Sequence, residues 1–534
     1  MSESLINYII IYFICSLSIL GYGLLLSNYS KRYLNEINIG EAGIVGILIT
    51  IIYSTISHIF IAHGYFHNTI FIILGLIFFI YFYRNLSRLE IVTFIVVFSI
   101  IFISFPTFKS HDDFHYYHFP YTYYITQYPH LFGMGNFNHG FRTPSSIFYI
   151  NSLFYLPYFK YYLFNISAVL ILGFFNLNLI LRLFQNFKKQ INKNEIYFII
   201  CALFFTNIFF YRIPEHGTDR SAQILILILF LEYFLMIQNK RKIEISINKI
   251  FIYISIIISL KSFYILYVIF IPIILFFLYD NNYLKILKNF YLLKNLYFNI
   301  LLVSVLLTLF INFSNSGCLV YPVYFTCYEH LSWSIPIEQV KAMNLWYEQW
   351  SKAGATPNFR IDNPEQYIQK FNWVSNWIEK YFFNKVSDFV LGLLLVGIIL
   401  LLTFYSSEKE KKKIDKHLLI FYLAISILFF EWFYNHPSLR YGGYVLVFSL
   451  IFLPLIVKLK SYKLKKKSIK SKFITLIICI FIIFIFRNTL RLHKEYTIYN
   501  YNFFKDFKYN VEKSYFRINE KININLTNKR FIIK

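Results

Sequence analysis

The sequence predicts an all-α, polytopic integral membrane protein with about 14 transmembrane helices. Two observations lead to this fold class. Apolar runs recur from one end of the 534-residue chain to the other. Most are about 17 to 22 residues long, enough to cross a hydrocarbon layer about 30 Å thick with the backbone hydrogen bonds closed inside one helix. In addition, 57% of the residues are hydrophobic and only 15% are charged, a balance that excludes an ordinary water-soluble domain.

The predicted membrane helices follow one another along the whole chain. The first run is expected to remain in the membrane, because MSESLINY lacks the basic start of a cleaved signal peptide. The fourteen runs cover residues 5–26, 40–61, 69–83, 90–106, 163–184, 195–211, 220–237, 248–261, 263–280, 296–313, 386–406, 417–434, 441–459 and 473–489.

The basic residues predict the sidedness of these helices. The formal net charge is +25, but the lysines lie in short loops rather than on one soluble face, so nucleic acid is excluded as a partner. Successive basic loops, such as 240–242 and 285–294, are separated by two apolar runs. Basic loops normally lie in the cytoplasm, where they meet anionic lipid. We therefore expect both termini outside the cytoplasm, in a membrane such as the bacterial inner or plasma membrane.

The chemically unusual segments all fall on the opposite, extracytoplasmic side. Because they share one side, a single extracytoplasmic site is expected. These segments are HDDFHYYHFP at 111–120 with the loop that follows it, YRIPEHGTDRS at 211–221, the turn at Lys261, residues 314–385, and NHPSLRYGG at 435–443.

Aromatic residues dominate two of the outer segments. Residues 114–128 and 145–159 are too short or too interrupted by proline to span, so helices at the bilayer surface are predicted there. Within 314–385, tryptophans recur at i,i+4 spacing on two amphipathic stretches. Interfacial anchoring is the favoured interpretation, and an aromatic platform for a sugar ring or isoprenoid chain is the alternative. The tryptophans are Trp346, Trp350, Trp373 and Trp377; Cys318 and Cys327 also lie outside, where a disulfide can persist.

Asp112 and Asp113 carry the strongest chemical signal. One of the two acids is able to cap the following surface helix. Adjacent carboxylates flanked by His111 and His115 are also suited to act as a base, because like charge and burial raise one carboxyl pKa toward neutrality. The two histidines share i,i+4 spacing around the acids, so a metal site is a further alternative.

Residues 90–313 resemble the GT-C superfamily of polyprenyl-phosphate-dependent glycosyltransferases, which includes protein O-mannosyltransferases and aminoarabinose transferases. An outward-running helix, a loop that opens on an acidic pair, surface helices and six further crossings match the shared module in number and orientation. The resemblance implies that one acid, with Asp112 slightly ahead of Asp113, deprotonates an acceptor hydroxyl. The acceptor then displaces a lipid phosphate from the sugar with inversion.

The resemblance also implies roles for residues outside the acidic pair. The family places a polar, acid-containing second loop where EHGTDRSAQILIL lies. Its leaving group is an anionic phosphate, so the donor requires nearby cations. The expected phosphate-binding residues are Arg220, Lys261 and Arg440, and the expected acceptor or loop-support residues are His111, His115, Glu215 and Asp219.

The expected partners are a polyprenyl-phosphate-linked sugar donor, a glycan, lipid or protein acceptor, and membrane lipids. Members of the superfamily differ in metal use, so a divalent cation, Mg²⁺ or Mn²⁺, stays open, with Asp112, Asp113 and His115 as its ligands. The sequence departs from the family pattern because three crossings precede the module and the acidic pair is Asp-Asp. These departures leave the donor and the acceptor undefined.

The chain is divided into five regions on this interpretation. They are N-terminal transmembrane helices at 1–89, the GT-C-like seven-helix module at 90–313, the external aromatic-rich segment at 314–385, C-terminal transmembrane helices at 386–489 and a polar tail at 490–534, whose alternating end suggests a small strand or disorder.

Three other functions compete with glycosyl transfer. A lipid-linked oligosaccharide flippase has a similar helix count, but transporters place charged groups near the midplane, whereas these runs are nearly free of charge. An O-antigen ligase or polymerase relies on Arg and His in a late outer loop, where this chain offers Arg360 and His330 but no comparable cluster, whereas its acids come early. A membrane scaffold without catalytic activity is the third alternative.

Overall fold

The fold was analysed in a computed structural model. It describes residues 5–29, 37–108, 111–188, 192–238, 243–291, 293–356, 359, 361–408, 415–463, 466–505, 507–508 and 511. Within these ranges the regular structure is helical and no β-strand occurs. The all-α fold class is confirmed.

Twenty α-helices make up the described chain, joined by short 3₁₀ and π segments. In order they are α1 Leu5–Tyr29, α2 Ile39–Phe60, α3 Tyr65–Phe82, α4 Arg88–Phe102, α5 Phe119–Gln127, α6 Ser146–Ser152, α7 Ile166–Lys188, α8 Lys193–Phe209, α9 Gly217–Gln238, α10 Ile243–Leu260, α11 Phe270–Asp280, α12 Leu284–Tyr291, α13 Leu296–Ser316, α14 Ile337–Lys352, α15 Pro364–Ile368, α16 Val374–Trp377, α17 Ser387–Phe404, α18 Lys416–Asn435, α19 Gly443–Lys460 and α20 Lys466–Tyr499.

The helices confirm a multi-pass membrane protein. Twelve helical segments of the described chain are long and apolar enough to cross a membrane. All fourteen predicted runs fall in helices, but α4 and α8 have only 15 and 17 residues, fewer than the 18 residues of the shortest of the twelve. The fourteen-crossing topology therefore stays a prediction.

The centre of the bundle is formed by α7 and α9, which are buried on nearly every face. A helix that is apolar all round is stable only when other helices surround it. Helices α2, α4 and α8 pack on α7, while α8 and α10 pack on α9. By contrast, α3 and α17 expose many large apolar side chains, which suits contact with lipid.

Glycines allow the first helices to pack at very short range. A Cβ at Gly23 of α1 would lie 1.7 Å from the Ala42 carbonyl oxygen of α2, and one at Gly46 would lie 2.0 Å from the Ile19 oxygen. Only residues without a side chain fit such contacts. Small residues at helix interfaces are the usual means of close packing in membranes, where the hydrophobic effect does not drive helices together.

A group of buried charges joins the ends of α2, α7, α8, α9 and α10, and we call it the Arg182 cluster. The Arg182 guanidinium contacts Glu41 at 2.7 Å, Glu195 at 3.7 Å and Glu232. The Lys249 ammonium lies 2.8 Å from Glu41. The Arg182 cluster consists of Glu41, Arg182, Glu195, Glu232 and Lys249. Sequence reasoning had treated the runs as nearly free of charge, so this network was missed.

The outer segments differ from the expectations in part. Residues 114–128 and 145–159 do contain short helices, including α5 and α6. However, α6 is fully buried in the protein, so it is not a helix lying on a surface. Helix α20 continues to Tyr499, past residue 489, where the last crossing was predicted to end. The alternating segment 517–534 lies outside the described residues.

Candidate functional site

A cavity of about 300 Å³ lies where the ends of several helices meet. Its wall comes from the segment before α5, the start of α9, the end of α14, the segment before α17 and the loop before α19. The sequence places all five segments on one side of the membrane. The lining residues are His111, Asp113, His118, Glu215, Thr218, Asp219, Arg220, Trp350, Ala355, Tyr381, Lys385, Ser438, Arg440 and Tyr444.

Asp113 supplies one carboxylate of this cavity. It directly precedes a π-helical turn, Phe114–His118. Its backbone N–H donates to His111 Nδ1 at 3.1 Å. His111 Nδ1 also lies 3.4 Å from the Asp113 Oδ2 atom. Burial raises the pKa of the Asp113 carboxyl, but Arg440, His118 and His111 outweigh burial and hold this pKa below its ordinary value. Asp113 is therefore ionised at neutral pH.

Arg440 links Asp113 to a second carboxylate, Asp219. Its Nη2 donates to Asp113 at 3.0 Å and its Nε donates to Asp219 at 3.2 Å. Lys261 Nζ lies 3.3 Å from the other Asp219 oxygen. Burial lowers the pKa of Arg440, but Asp219, Tyr441 and Asp113 raise it well above its ordinary value. We call Asp113, Asp219, Lys261 and Arg440 the Arg440 cluster.

The loop that carries Arg440 is fixed by buried aromatic side chains. Tyr381 OH accepts from the Leu439 N–H at 2.9 Å. The indole N–H groups of Trp377 and Trp432 donate to the Pro437 and Ser438 carbonyls at 3.0 and 2.8 Å. Because these bonds hold the backbone of the three residues before Arg440, they help to fix the position of its guanidinium before any ligand binds.

Two further cations line the cavity without a carboxylate within 4.0 Å among the described residues, namely Arg220 and Lys385. Arg220 lies over the Phe210 ring, with its guanidinium carbon 5.4 Å from the ring centroid. Lys385 Nζ lies 5.4 Å from the Tyr381 ring centroid. The nearby Glu215 is bound by Arg212. The cavity thus presents positive charge that is not neutralised by an ion pair.

His118 contributes a neutral imidazole. Burial is the main cause that lowers its pKa to about 3. Its Nε2 is buried and has no hydrogen-bond partner in the described part of the chain. The imidazole ring packs against the rings of Tyr117 and Phe148, with centroids 4.4 and 5.1 Å away. A buried nitrogen without a partner is rare in folded proteins, which makes His118 a candidate for contact with a ligand.

The structure brings together most of the residues that the sequence singled out. His111, Asp113, Glu215, Asp219, Arg220 and Arg440 line the cavity, and Lys261 contacts Asp219. Asp112 is exposed and, like His115, is not part of the lining. No three His, Cys, Asp or Glu side chains of the described residues are grouped to hold a metal ion, so Asp112, Asp113 and His115 do not converge.

Sequence reasoning missed His118 and Lys385 as site residues. His118 was visible as the third histidine of HDDFHYYHFP, but its spacing from the acids gave no reason to prefer it. Lys385 was read only as the end of the outer segment. The feature that could have indicated Lys385 is its position at the predicted outer end of a membrane helix. Most other lysines lie in the loops that are predicted to be cytoplasmic.

The outer aromatic segment divides into two parts. Trp373 and Trp377 are almost fully buried, and Trp377 donates to the Arg440 loop, so the expected interfacial anchoring is wrong for this pair. Trp350 lines the cavity, and Trp346 is exposed beside it. The Cys318–Cys327 disulfide is present, as the sequence suggested.

The fold and the cavity define an all-helical, multi-pass membrane protein with a charged cavity at one end of its helix bundle. The chain belongs to the family described as "Domain of unknown function (DUF8201)", whose profile matches residues 1–447. Every residue that lines the cavity falls inside this match. No curated protein and no solved structure matches the chain.

Proposed function

We propose that this protein is a GT-C-type membrane glycosyltransferase. It moves a sugar from a polyprenyl-phosphate donor to an acceptor on the extracytoplasmic side of the membrane. One observation carries the proposal: the ionised carboxylate of Asp113 and two cations without acidic partners, Arg220 and Lys385, line the same cavity. Glycosyl transfer from a lipid phosphate needs a base and a binding place for a departing anion, and this cavity offers both.

The reaction assigns a different part to each charged group. The acceptor oxygen bonds to the anomeric carbon while its proton passes to an Asp113 oxygen. The bond from the anomeric carbon to the phosphate oxygen breaks on the opposite face, which gives inversion. The electron pair leaves with the lipid phosphate, whose negative charge is stabilised by Arg220 and Lys385.

Arg440 and Lys261 act differently from the sequence-based expectation. Both were expected to bind the donor phosphate, yet both already contact Asp219, and Arg440 also contacts Asp113. We assign them to hold the two carboxylates in place. Phosphate binding falls instead to Arg220, which was predicted, and to Lys385, which was not.

Asp113 replaces Asp112 as the preferred base, because only Asp113 lines the cavity. Its lowered pKa makes it a weak base. A weak base suffices for this reaction, since the acceptor hydroxyl becomes strongly acidic only as its oxygen bonds to the electron-poor sugar carbon. A positioned base ordinarily raises the reaction rate about 10²- to 10⁴-fold, and this is the contribution that we assign to Asp113.

The test compares the two adjacent acids. Asp113→Asn and Asp112→Asn remove the same charge from neighbouring positions, so each controls for the other. In cells that lack the native gene, we expect Asp113→Asn to abolish one surface sugar, detected by mass spectrometry of hydrolysed envelope material. Asp112→Asn is expected to retain it, with both variants at equal abundance in the membrane. Full transfer by Asp113→Asn would eliminate this base.

A further inference from the structure

We propose that Trp346 and Trp350 form a platform for a pyranose ring of the acceptor, so that the acceptor is a carbohydrate chain. This inference rests on the proposed glycosyltransferase function and names its acceptor class. Both tryptophans lie on α14, one helical turn apart, and Trp350 lines the cavity.

The two indole rings extend the cavity wall outward. Trp350 lines the cavity and lies 5.8 Å from the Arg440 guanidinium carbon. The Trp346 ring is nearly parallel to it, at an interplanar angle of 17° with 6.3 Å between centroids. Trp346 is 41% exposed. The two stacked rings therefore lead from the Arg440 guanidinium to the exposed Trp346 side chain.

The platform is rigid before a ligand arrives. Lys352, at the end of α14, has no exposed side-chain area and contacts both Glu348 at 2.6 Å and the Ile368 carbonyl at 3.0 Å. On the other side, Val340 packs with the Cys318–Cys327 disulfide region. An aromatic surface that is already ordered binds a ligand without a further loss of side-chain entropy.

The surroundings of the platform favour a sugar over an isoprenoid chain. Helix α14 carries Glu338, Lys341 and Glu348 and is not among the membrane-spanning segments. The His139 imidazole lies beside Trp346 with 6.5 Å between ring centroids, and His139 is hydrogen-bonded to Tyr347 OH. A pyranose presents C–H groups to an aromatic face and hydroxyls at its rim, which matches this mixture. An isoprenoid chain requires an apolar channel instead.

The platform is also connected to the proposed base, Asp113, through side-chain contacts. Trp350 contacts Arg440, and Arg440 donates to Asp113. A glycan that lies on Trp346 and Trp350 therefore points its terminal residue toward the Asp113 carboxylate. The stacked rings would set the direction of the chain, while Asp113 would receive the proton of its terminal hydroxyl.

The experiment uses material from cells that carry Asp113→Asn, in which the acceptor accumulates without its last sugar. The polysaccharide extracted from those cells is the probe, and membranes that contain the full chain supply the enzyme. We expect Trp346→Ala to raise the acceptor concentration for half-maximal transfer at least tenfold with little change in the maximal rate. Trp346→Phe is expected to recover at least a third of this affinity.

Phe325→Ala is the matched control, since Phe325 is an exposed outer aromatic that does not line the cavity. Equal losses for Phe325→Ala and Trp346→Ala would indicate membrane anchoring and overturn the platform. If Trp346→Ala reached half-maximal transfer at the same acceptor concentration as the native protein, the platform would also be overturned. So would finding the missing sugar on a protein or a simple lipid rather than on polysaccharide. A surface sugar composition that is the same with and without the native gene would instead reject the glycosyltransferase function itself.

Discussion

The Arg182 cluster and the Arg440 cluster share helix α9 but differ in their use of charge. Helix α9 carries Glu232 of the first and Asp219 of the second, thirteen residues apart along its sequence, which is about 20 Å at 1.5 Å per residue. In the Arg182 cluster, three carboxylates surround two cations that contact them directly. Around the Arg440 cluster, a cavity adds Arg220 and Lys385, which have no acidic partner among the described residues.

This difference separates a structural role from a functional one. Buried charges that pair with one another hold helices in register, and removing one partner leaves the others unpaired in a medium of low dielectric. Charges that border a cavity and lack partners are available to a ligand. Buried charge within membrane helices is also a feature of transporters, but the carboxylates of the Arg182 cluster are bound by its own cations.

The largest effect is expected from Arg182→Met. This change leaves Glu41 and Glu232 buried without their shared cation, at a cost of about 3–5 kcal/mol of stability. We expect little folded protein in the membrane, measured by immunoblot and by fluorescence-detected size exclusion. Lys416→Met, which removes an exposed partner of Asp280, is the control and is expected to change stability by less than about 1 kcal/mol. Normal abundance of Arg182→Met would refute a structural role for this cluster.

A smaller effect is expected from removing the outer disulfide. Replacing Cys318 and Cys327 by alanine releases a short loop, worth about 2–3 kcal/mol in the chain-entropy account. Because this region packs against α14, hydrogen exchange in α14 should accelerate about 30- to 160-fold while exchange in α9 stays unchanged. Cys479→Ala, at a free exposed cysteine, serves as the control. Uniform acceleration in both helices would show that the outer segment does not unfold separately.

The smallest effect concerns pH. The folded-state pKa of Asp113 is below its ordinary value of 3.8, so its ion pair stabilises the protein above that value and is lost as pH falls through the lower folded pKa. The melting temperature of the native protein should exceed that of Asp113→Asn by about 2 °C at pH 7. The difference should shrink as pH falls below 3.8 and vanish below the lower folded-state pKa. A difference that grows on acidification would contradict the ion pair.

The same groups predict the pH profile of transfer. Burial keeps the pKa of His118 near 3, and Asp113 is ionised throughout the neutral range. The rate should therefore show no inflection near pH 6.5, where an unperturbed histidine titrates. An inflection there that disappears in His118→Gln would instead identify His118 as the base.

Much of the fold follows from the sequence, because hydropathy is a local property. Each apolar run becomes a helix, since a backbone in lipid must satisfy its own hydrogen bonds. What the sequence could not provide is the pairing of distant charges. Arg182 follows Glu41 by 141 positions, and Lys249 follows Arg182 by 67 positions. Each of the three alone resembles an ordinary residue near a helix end.

The candidate site was predictable to a similar extent. The location of His111, Asp113, Asp219, Arg220 and Arg440 in one cavity agrees with the single side of the membrane that the sequence predicts for them. Their individual roles do not, because roles depend on side-chain contacts. Arg440 and Arg220 are equivalent in the sequence, whereas only Arg440 is bound by carboxylates.

The most direct test of the account is binding of a polyprenyl phosphate to the cavity. The full chain in lipid nanodiscs is titrated with undecaprenyl phosphate, and binding is followed by native mass spectrometry. The account predicts binding by the native protein and at least tenfold weaker binding by the Arg220→Gln, Lys385→Gln double variant. Lys341→Gln, a surface control, should bind as the native protein does. Equal binding by all three proteins, or none by the native protein, would contradict the central claim that these unpaired cations hold a lipid phosphate.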